Sequence, residues 1–308
     1  MHFGYQPFCA TIGVFRDGAQ AREVPSRWIA RSRRRPIVRQ VRPRFVDWLE
    51  PYLGSLAELL VPGYAFMLVL GSLLGAIIIV DEARRAGFSR RDALTVLSIA
   101  YAAGLAGAGL VPLLQGVAVW LERGHFAAPT GMAAYGGLIG GVTGGSIALV
   151  RMRLDVWRFL DASAPGVGLG YFFARLGCLS AGCDFGKVTT SRIGIVFPPG
   201  SFAFRDHVAS GLVSPEAAGS LPVHPTQLYA ALSGVLLYAM ARALPNQGDG
   251  RRFVAVVLGY ALMRSFIELF RGDASRGHVG PLSLSQTLAI MTVVLTLALW
   301  RRRRVSSA

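Results

Sequence analysis

The feature that most constrains this chain is a series of apolar segments about as long as a lipid bilayer is thick. A helix needs about 20 apolar residues to cross a bilayer, and 53% of this 308-residue chain is hydrophobic. The sequence therefore predicts an all-α polytopic membrane protein of about seven transmembrane helices. We place them at about 62–80, 92–115, 131–150, 163–180, 226–244, 252–270 and 282–300.

The first 61 residues differ from the rest of the chain. Ten arginines lie between Arg16 and Arg44, and we interpret this stretch as a basic tail on lipid headgroups. Residues 46–60 have apolar positions at helical spacing, which is typical of an interfacial helix. The predicted organisation is a basic tail with this helix at 1–61, a seven-helix transmembrane domain at 62–300 and a cytoplasmic basic tail at 301–308.

Arginine clusters indicate the topology. The net charge is +15, and the basic connections all fall on one side if seven segments cross. By the positive-inside rule that side is the cytoplasm, so the long segment between the fourth and fifth helices is periplasmic. The same arrangement places the arginine-rich N-terminus on the periplasmic side, and this placement conflicts with the positive-inside rule. No nucleic-acid-binding fold or motif accompanies the charge, so no nucleic acid partner is expected.

Arginines also occur inside the apolar segments, where they are costly and expected to face the interior of the bundle. At 1.5 Å per residue, Arg175 falls in the outer half of the fourth segment. Arg264, Glu268 and Arg271 are spaced i, i+4 and i+7, which predicts one shared face of the sixth segment. Further polar groups enter the same half of the membrane, namely Tyr64, Tyr135, His224 and Gln227.

Two interpretations of these arginines remain open. In the first, they form an internal ion-pair network with Glu268 that locks the helices together. Alternatively, three arginines against one glutamate leave a positive charge that costs several kcal/mol in a low-dielectric site unless an anion arrives. Arginine binds phosphate through a bidentate fork, so the second interpretation predicts a phospholipid headgroup site.

The third segment carries two rows of glycine at a spacing of four residues. Small residues at this spacing allow close approach of helix backbones, so packing is the first interpretation. Access of a lipid to the core along part of the rows is the alternative. The rows are Gly136, Gly140 and Gly144, and Gly137, Gly141 and Gly145.

Several motifs follow one another over residues 62–300. They are PGYAFMLVLGSLLG, YGGLIGG, RFLDASAP, ARLGCLSAGCDFGK, VHPTQLY and RSFIELFRGD. In this order they resemble the prolipoprotein diacylglyceryl transferases. The resemblance implies transfer of diacylglycerol from phosphatidylglycerol to the lipobox cysteine of a prolipoprotein signal peptide, in the bacterial plasma (inner) membrane, with the active site toward the periplasm. It implies no cofactor and no metal.

The resemblance also implies roles for individual residues. Arg175 and Arg264 would bind and polarise the phosphate, Glu268 would orient Arg264, and Arg271 would help at the outer edge. Tyr64 matches the important tyrosine of the first helix, and Gly186 closes the signature. The implied catalytic residues are Arg175, Arg264, Glu268, His224 and Tyr64, and the implied substrate-binding residues are Tyr135, Gly136, Gly137, Gly186, Gln227, Tyr229 and Arg271.

The chain departs from the family pattern at four positions. Cys178 replaces an asparagine, Cys183 a glutamate, Tyr135 a histidine, and Ala230 the glutamate after HPxQLY. A general base for the acceptor thiol is therefore less obvious, since a phenol is a poor base at neutral pH. His224 is the best remaining candidate, and a cap of the fifth helix is its alternative role.

The two cysteines admit three interpretations. The first is a pair of small packing residues, and the second is a disulfide on the outward side. The third is a reactive or metal-binding pair with His224, to which Asp184 could add a ligand. The third interpretation supports a second hypothesis, a non-catalytic redox or metal protein on the same scaffold. Residues 187–223 predict a short strand, IGIVF, followed by an amphipathic helix that either guides a peptide or packs as a lid.

Overall fold

The computed structural model describes residues 63–124, 134–272, 278–279 and 282–306. Within them the chain forms eight helices and one two-stranded antiparallel sheet, in which His278 pairs with Ser283. In chain order the elements are α1 (Gly63–Arg85), α2 (Arg90–Arg123), α3 (Ala134–Arg151), α4 (Val156–Ala181), α5 (Phe202–Ala209), α6 (Thr226–Ala243), α7 (Arg251–Glu268), β1 (His278–Val279), β2 (Leu282–Ser283) and α8 (Leu284–Ser306).

Each of the seven predicted segments coincides with one long helix. The largest differences are at α2, which ends at Arg123 rather than near 115, and at α4, which begins at Val156 rather than near 163. Helix α4 begins earlier because Asp155 caps it by accepting a hydrogen bond from the Arg158 N–H at 3.0 Å. Two helices, Gly63–Arg85 and Arg90–Leu114, are long and apolar enough to cross a membrane. Membrane crossing by the other five stays a prediction. The predicted basic tail and interfacial helix lie outside the described residues.

Helix α4 lies at the centre of the bundle, between α1 and α6. A methyl group on Gly75 of α1 would lie 2.9 Å from the carbonyl oxygen of Gly166 in α4. On the opposite side, a methyl group on Gly168 would lie 2.7 Å from the backbone nitrogen of Tyr238 in α6. Because these positions have no side chains, α1 and α6 can both approach α4 closely, and α4 lies between them.

The glycine rows of α3 pack against α2. A methyl group on Gly107 of α2 would overlap the carbonyl oxygen of Gly136, and one on Gly140 would overlap that of Ala103. The packing interpretation of the rows is therefore confirmed at these positions. The nearest described neighbours of a methyl group on Gly137 are Gly104 and Ala108 of the same helix, α2.

The basic connections meet at one end of the bundle, as the alternating path of the helices requires. Glu82 near the end of α1 accepts hydrogen bonds from Arg252 at 2.5 Å and from Arg242. The fully buried carboxylate of Asp161 accepts two N–H groups at the start of α7. On α8, Arg303 lies 2.7 Å from the carboxylate of Asp155.

The segment between α4 and α6 forms a small separate core at the other end of the bundle. The predicted strand IGIVF makes only an isolated bridge, between Ile195 and Val223. The predicted helix is present as α5, whose cap Ser201 accepts a hydrogen bond from the Phe204 N–H at 3.2 Å. Four buried apolar side chains hold the segment together: Phe185, Phe197, Ala203 and Val223.

Candidate active site

Three arginines gather where α4 and α7 end and α1 begins. Arg175 lies two turns before the end of α4, and its Nη1 is 2.5 Å from Oδ2 of Asp184. Its guanidinium also stacks on the ring of Tyr171, with Cζ 4.8 Å from the ring centroid. The cation–π contact and the ion pair fix the direction of this guanidinium.

Asp184 occupies a turn that the end of α4 creates. The helix stops at Gly182, whose φ of 71° is left-handed, and Asp184 follows with a φ of 56°. The start of α6 holds this turn in place. The hydroxyl of Thr226 donates to the Asp184 carbonyl at 2.6 Å, and the amide of Gln227 donates to the Cys183 carbonyl at 2.7 Å.

Arg271 is the second partner of the same carboxylate. Its Nη2 lies 2.8 Å from Oδ1 of Asp184, and the side chain is only 8% exposed. The prediction that Arg271 continues the helical face of Arg264 and Glu268 is wrong. Helix α7 ends at Glu268, and Arg271 instead pairs through its backbone with Gly186. This backbone pairing directs the Arg271 side chain into the centre of the cluster.

Arg264 and Glu268 form the third part of the cluster. The Arg264 Nη1 lies 2.8 Å from Oε2 of Glu268, and its Nη2 donates to the hydroxyl of Ser285 on α8 at 2.8 Å. Both partners of the ion pair are less than a tenth exposed. The i, i+4 spacing predicted from the sequence thus produces a direct contact, and α8 contributes a hydroxyl that the sequence did not indicate.

The electrostatics of Asp184 show that the three arginines act together. Burial alone raises the pKa of the Asp184 carboxyl, but the positive charges of Arg271, Arg175 and Arg264 lower it by more. The resulting pKa lies well below the usual range, so the carboxylate stays ionised. The three cations therefore share one neighbourhood, although they come from two distant parts of the chain, α4 and the end of α7.

The charge balance differs from the one expected from the sequence. The sequence suggested three arginines against one glutamate, but the structure adds Asp184 as a second carboxylate. Three positive and two negative groups leave one net positive charge. Asp184 was considered only as a metal ligand, because nothing in the sequence shows that the turn after α4 directs it toward the arginines.

Tyr64 lies beside this cluster. A methyl group on Gly177 would lie 3.2 Å from the Cα atom of Tyr64, so the first turn of α1 rests against the last turns of α4. Tyr64 is within electrostatic range of Arg175 and Asp184. The side chain of Tyr135 lies outside the described residues, and the described packing of Gly136 and Gly137 is against α2 rather than against the arginines.

His224 lies next to the cluster, just before the start of α6. Its Nδ1 is 3.2 Å from the hydroxyl of Tyr229, and its ring centroid is 5.2 Å from that of Phe270. The alternative role of His224 as a helix cap is wrong, because the cap position of α6 is Pro225 and no side chain caps it. Phe270 immediately precedes Arg271, which brings the imidazole to the edge of the arginine site.

Gln227 and Gly186 take up positions that shape the site. Gln227 is 1% exposed and holds the Cys183 carbonyl, so its contact is with the protein turn. Gly186 has no room for a side chain, since a methyl group there would lie 2.5 Å from Cβ of His224 and 2.8 Å from the Phe270 carbonyl oxygen. The backbone at position 186 can therefore approach His224 and Phe270 this closely only if residue 186 is a glycine.

The predicted disulfide between Cys178 and Cys183 is wrong, because Cys183 is disulfide-bonded but Cys178 is not. Cys178 is a buried thiol outside any disulfide, and its Sγ lies 3.8 Å from Oδ2 of Asp184. Potential ligand atoms of Cys178, Cys183 and Asp184 lie within 4.8 Å of one another, a set that does not include His224. The Asp184 carboxylate is already engaged by two guanidiniums, whose charge opposes a metal cation.

The fold and the site together define a class: a helical membrane protein with an electropositive, buried arginine site at one end of its bundle. Comparison with known families identifies the class more narrowly. A family model of prolipoprotein diacylglyceryl transferases matches residues 51–302, and the chain belongs to this family.

Individual relatives agree with this assignment. The chain is 28% identical over 251 residues to a phosphatidylglycerol–prolipoprotein diacylglyceryl transferase of Clostridium tetani, covering 80% of this chain and 95% of the relative. It is 26% identical over 247 residues to an enzyme of Clostridium perfringens with the same description, covering 79% of this chain and 91% of the relative. A third relative, from Treponema denticola, is 34% identical over 48% of each chain.

Proposed function

We propose that the protein is a phosphatidylglycerol–prolipoprotein diacylglyceryl transferase. The observation that supports this most strongly is the net charge of the buried site. Arg175, Arg264 and Arg271 outnumber Glu268 and Asp184 by one positive charge. The phosphodiester of phosphatidylglycerol carries one negative charge, which would complete the balance and relieve the cost of a buried cation.

In this proposal the guanidiniums of Arg175 and Arg264 bind the headgroup phosphate. Each is fixed by an acidic partner, at 2.5 Å for Arg175 and 2.8 Å for Arg264. A guanidinium has five N–H donors, so one carboxylate partner leaves donors for phosphate oxygens. Because Arg264 is buried, Arg175 is partly buried and both are preorganised by their partners, they interact with developing charge more strongly than they would in water.

The reaction exchanges a carbon–oxygen bond for a carbon–sulfur bond. The lipobox thiol gives up its proton, and its sulfur attacks the carbon of diacylglycerol that carries the phosphate ester. That carbon–oxygen bond breaks, and glycerol phosphate leaves with the electron pair. The arginines stabilise the additional negative charge on the departing phosphate. His224 at the edge of the site would accept the thiol proton, with Tyr229 holding its other ring nitrogen.

The proposed topology has all seven long helices crossing the bacterial plasma membrane. The end with Arg242, Arg252 and Arg303 would face the cytoplasm, and the arginine site would face the periplasm. The segment from 187 to 223 then stands over the site, where a prolipoprotein signal peptide would arrive. Phosphatidylglycerol and this signal peptide are the proposed partners.

The test is transfer of radiolabelled diacylglycerol from phosphatidylglycerol to a lipobox peptide by the purified protein in detergent. We expect Arg175→Ala and Arg264→Ala to lower kcat about 100-fold or more, as removal of one preorganised donor does in other enzymes. Arg251→Ala is the matched control, because its side chain is 60% exposed at the opposite end. Wild-type protein without transfer would refute the proposed function. Full activity of both site variants would refute the site.

A further inference from the structure

One carboxylate connects the two halves of the arginine site. Asp184 divides its oxygens between two cations, with Oδ2 at 2.5 Å from Arg175 and Oδ1 at 2.8 Å from Arg271. Arg175 belongs to α4, whereas Arg271 follows α7. The carboxylate is thus placed between two guanidiniums from distant parts of the chain, and it determines how far apart they stand.

The position of this carboxylate is fixed by its backbone. A φ of 56° is uncommon for a residue with a side chain and persists only where the surroundings impose it. Two hydrogen bonds from the start of α6, donated by Thr226 and Gln227, hold the turn in this conformation. The end of α4 and the start of α6 therefore together aim one aspartate, which exceeds what a chance ion pair would require.

We propose that Asp184 is a positioning residue for the headgroup site, and that it replaces, from one position further along the chain, the glutamate that the family pattern has at position 183. The inference rests on the proposed function. Position 183 is close enough for this exchange, since the Sγ of Cys183 and a carboxylate oxygen of Asp184 are within 4.8 Å. A glutamate at 183 would have the reach to place its carboxylate between the same arginines.

Asp184 is not the general base in this account. The neighbouring arginines hold the pKa of its carboxyl well below the usual range, and an acid that strong is a weak proton acceptor. Its contribution is geometric and electrostatic. It spaces Arg175 and Arg271, and it reduces the net charge of the site to the single positive charge that a phosphodiester matches.

The first experiment compares Asp184→Asn with wild type in the transfer assay. We expect kcat to fall about 100-fold, the scale of a displacement of about 1 Å among positioned groups. The KM for phosphatidylglycerol should not rise, because the lost carboxylate makes the site more positive. A merely structural role would lower the yield of folded protein and leave both constants unchanged per folded molecule. Glu216→Gln, an exposed acidic residue of the same outward segment, is the control.

The second experiment moves the carboxylate along the chain. Asparagine tolerates the left-handed conformation at position 184, so Cys183→Glu/Asp184→Asn should recover to within about tenfold of wild type whereas Asp184→Asn alone should not. Cys183→Ser alone controls for loss of the sulfur. Wild-type constants in Asp184→Asn, or a folded double variant without recovery, would overturn the inference while leaving the proposed function intact.

A binding readout separates the two proposals. Phosphatidylglycerol binding in nanodiscs can be measured whether or not the protein transfers diacylglycerol. Asp184→Asn should bind this lipid at least as tightly as wild type, and tenfold weaker binding would overturn the inference. If wild-type protein binds the lipid but transfers nothing, the proposed function fails, and the comparison of the two affinities still decides the role of Asp184.

Discussion

Substitution of Glu82 tests whether the arginines at the opposite end of the bundle are purely structural. Glu82 and Arg252 each have 5% side-chain exposure and lie 2.5 Å apart. Glu82→Gln keeps the shape but leaves a buried guanidinium without its counterion, which costs about 3–5 kcal/mol. At roughly 2–4 °C per kcal/mol for domains of 150–250 residues, we expect the melting temperature to fall by about 6–20 °C.

The neighbouring acidic residue provides a matched control. Asp81 pairs with Arg85 at 2.7 Å, but the two side chains are 51% and 60% exposed. An exposed pair of this kind contributes about 0–1 kcal/mol, so Asp81→Asn should barely change the melting temperature. Both variants should be measured by tryptophan fluorescence of the protein in detergent during heating.

A double substitution tests whether the unpaired buried charge causes the loss of stability. Replacing both members of a buried pair with apolar residues is often neutral, so Glu82→Leu/Arg252→Met should recover most of the stability lost in Glu82→Gln. Transfer activity at low temperature should persist, because 18 residues of helix place Glu82 about 27 Å along α1 from Tyr64. Equal melting temperatures for Glu82→Gln and Asp81→Asn would refute the reasoning.

Two further predictions concern the outward side. Gly186→Ala should lower transfer at least about tenfold, because its methyl group would lie 2.5 Å from Cβ of His224, whereas Gly109→Ala, where nothing lies within 4 Å, should leave activity unchanged. Burial lowers the pKa of His207, whose Nδ1 accepts the Leu221 N–H at 3.1 Å. The segment should therefore lose stability as the pH falls below about 6.5, the ordinary histidine pKa; hydrogen exchange at Leu221 that does not rise on acidification would contradict this.

The long helices could be predicted because their signal is local. Seven apolar segments of bilayer length each became one helix, and the spacing of Arg264 and Glu268 gave their ion pair directly. The family assignment also followed from motifs that occur in a fixed order along the chain. The helices and the ion pair depend on composition and periodicity, and the family assignment depends on a resemblance of motifs. None of these requires knowledge of tertiary contacts.

The errors occur where helices end. Arg271 continues the spacing of Arg264 and Glu268, so a longer helix was the natural prediction. The backbone pairing with Gly186 ends the helix first and redirects the side chain. The direction of Asp184 likewise depends on a left-handed turn after Gly182 and on two donors from α6. Long-range backbone contacts of this kind have no periodic signal.

The two ends of the bundle show how buried arginines can be structural or functional within one chain. Arg252 donates one hydrogen bond from Nη1 to Glu82 at 2.5 Å and one from Nη2 to the carbonyl oxygen of Leu244 at 2.9 Å. Glu82 has the same burial as Arg252 and matches its charge, and Arg242, which also contacts Glu82, is 42% exposed so that water screens its charge. The buried pair therefore stabilises α1 against α7 without a further anion. Around Asp184 and Glu268 the arginines exceed the carboxylates by one charge. Because an uncompensated buried charge is costly, an anionic ligand would stabilise the end with Arg175, Arg264 and Arg271. The end with Arg252 does not need one.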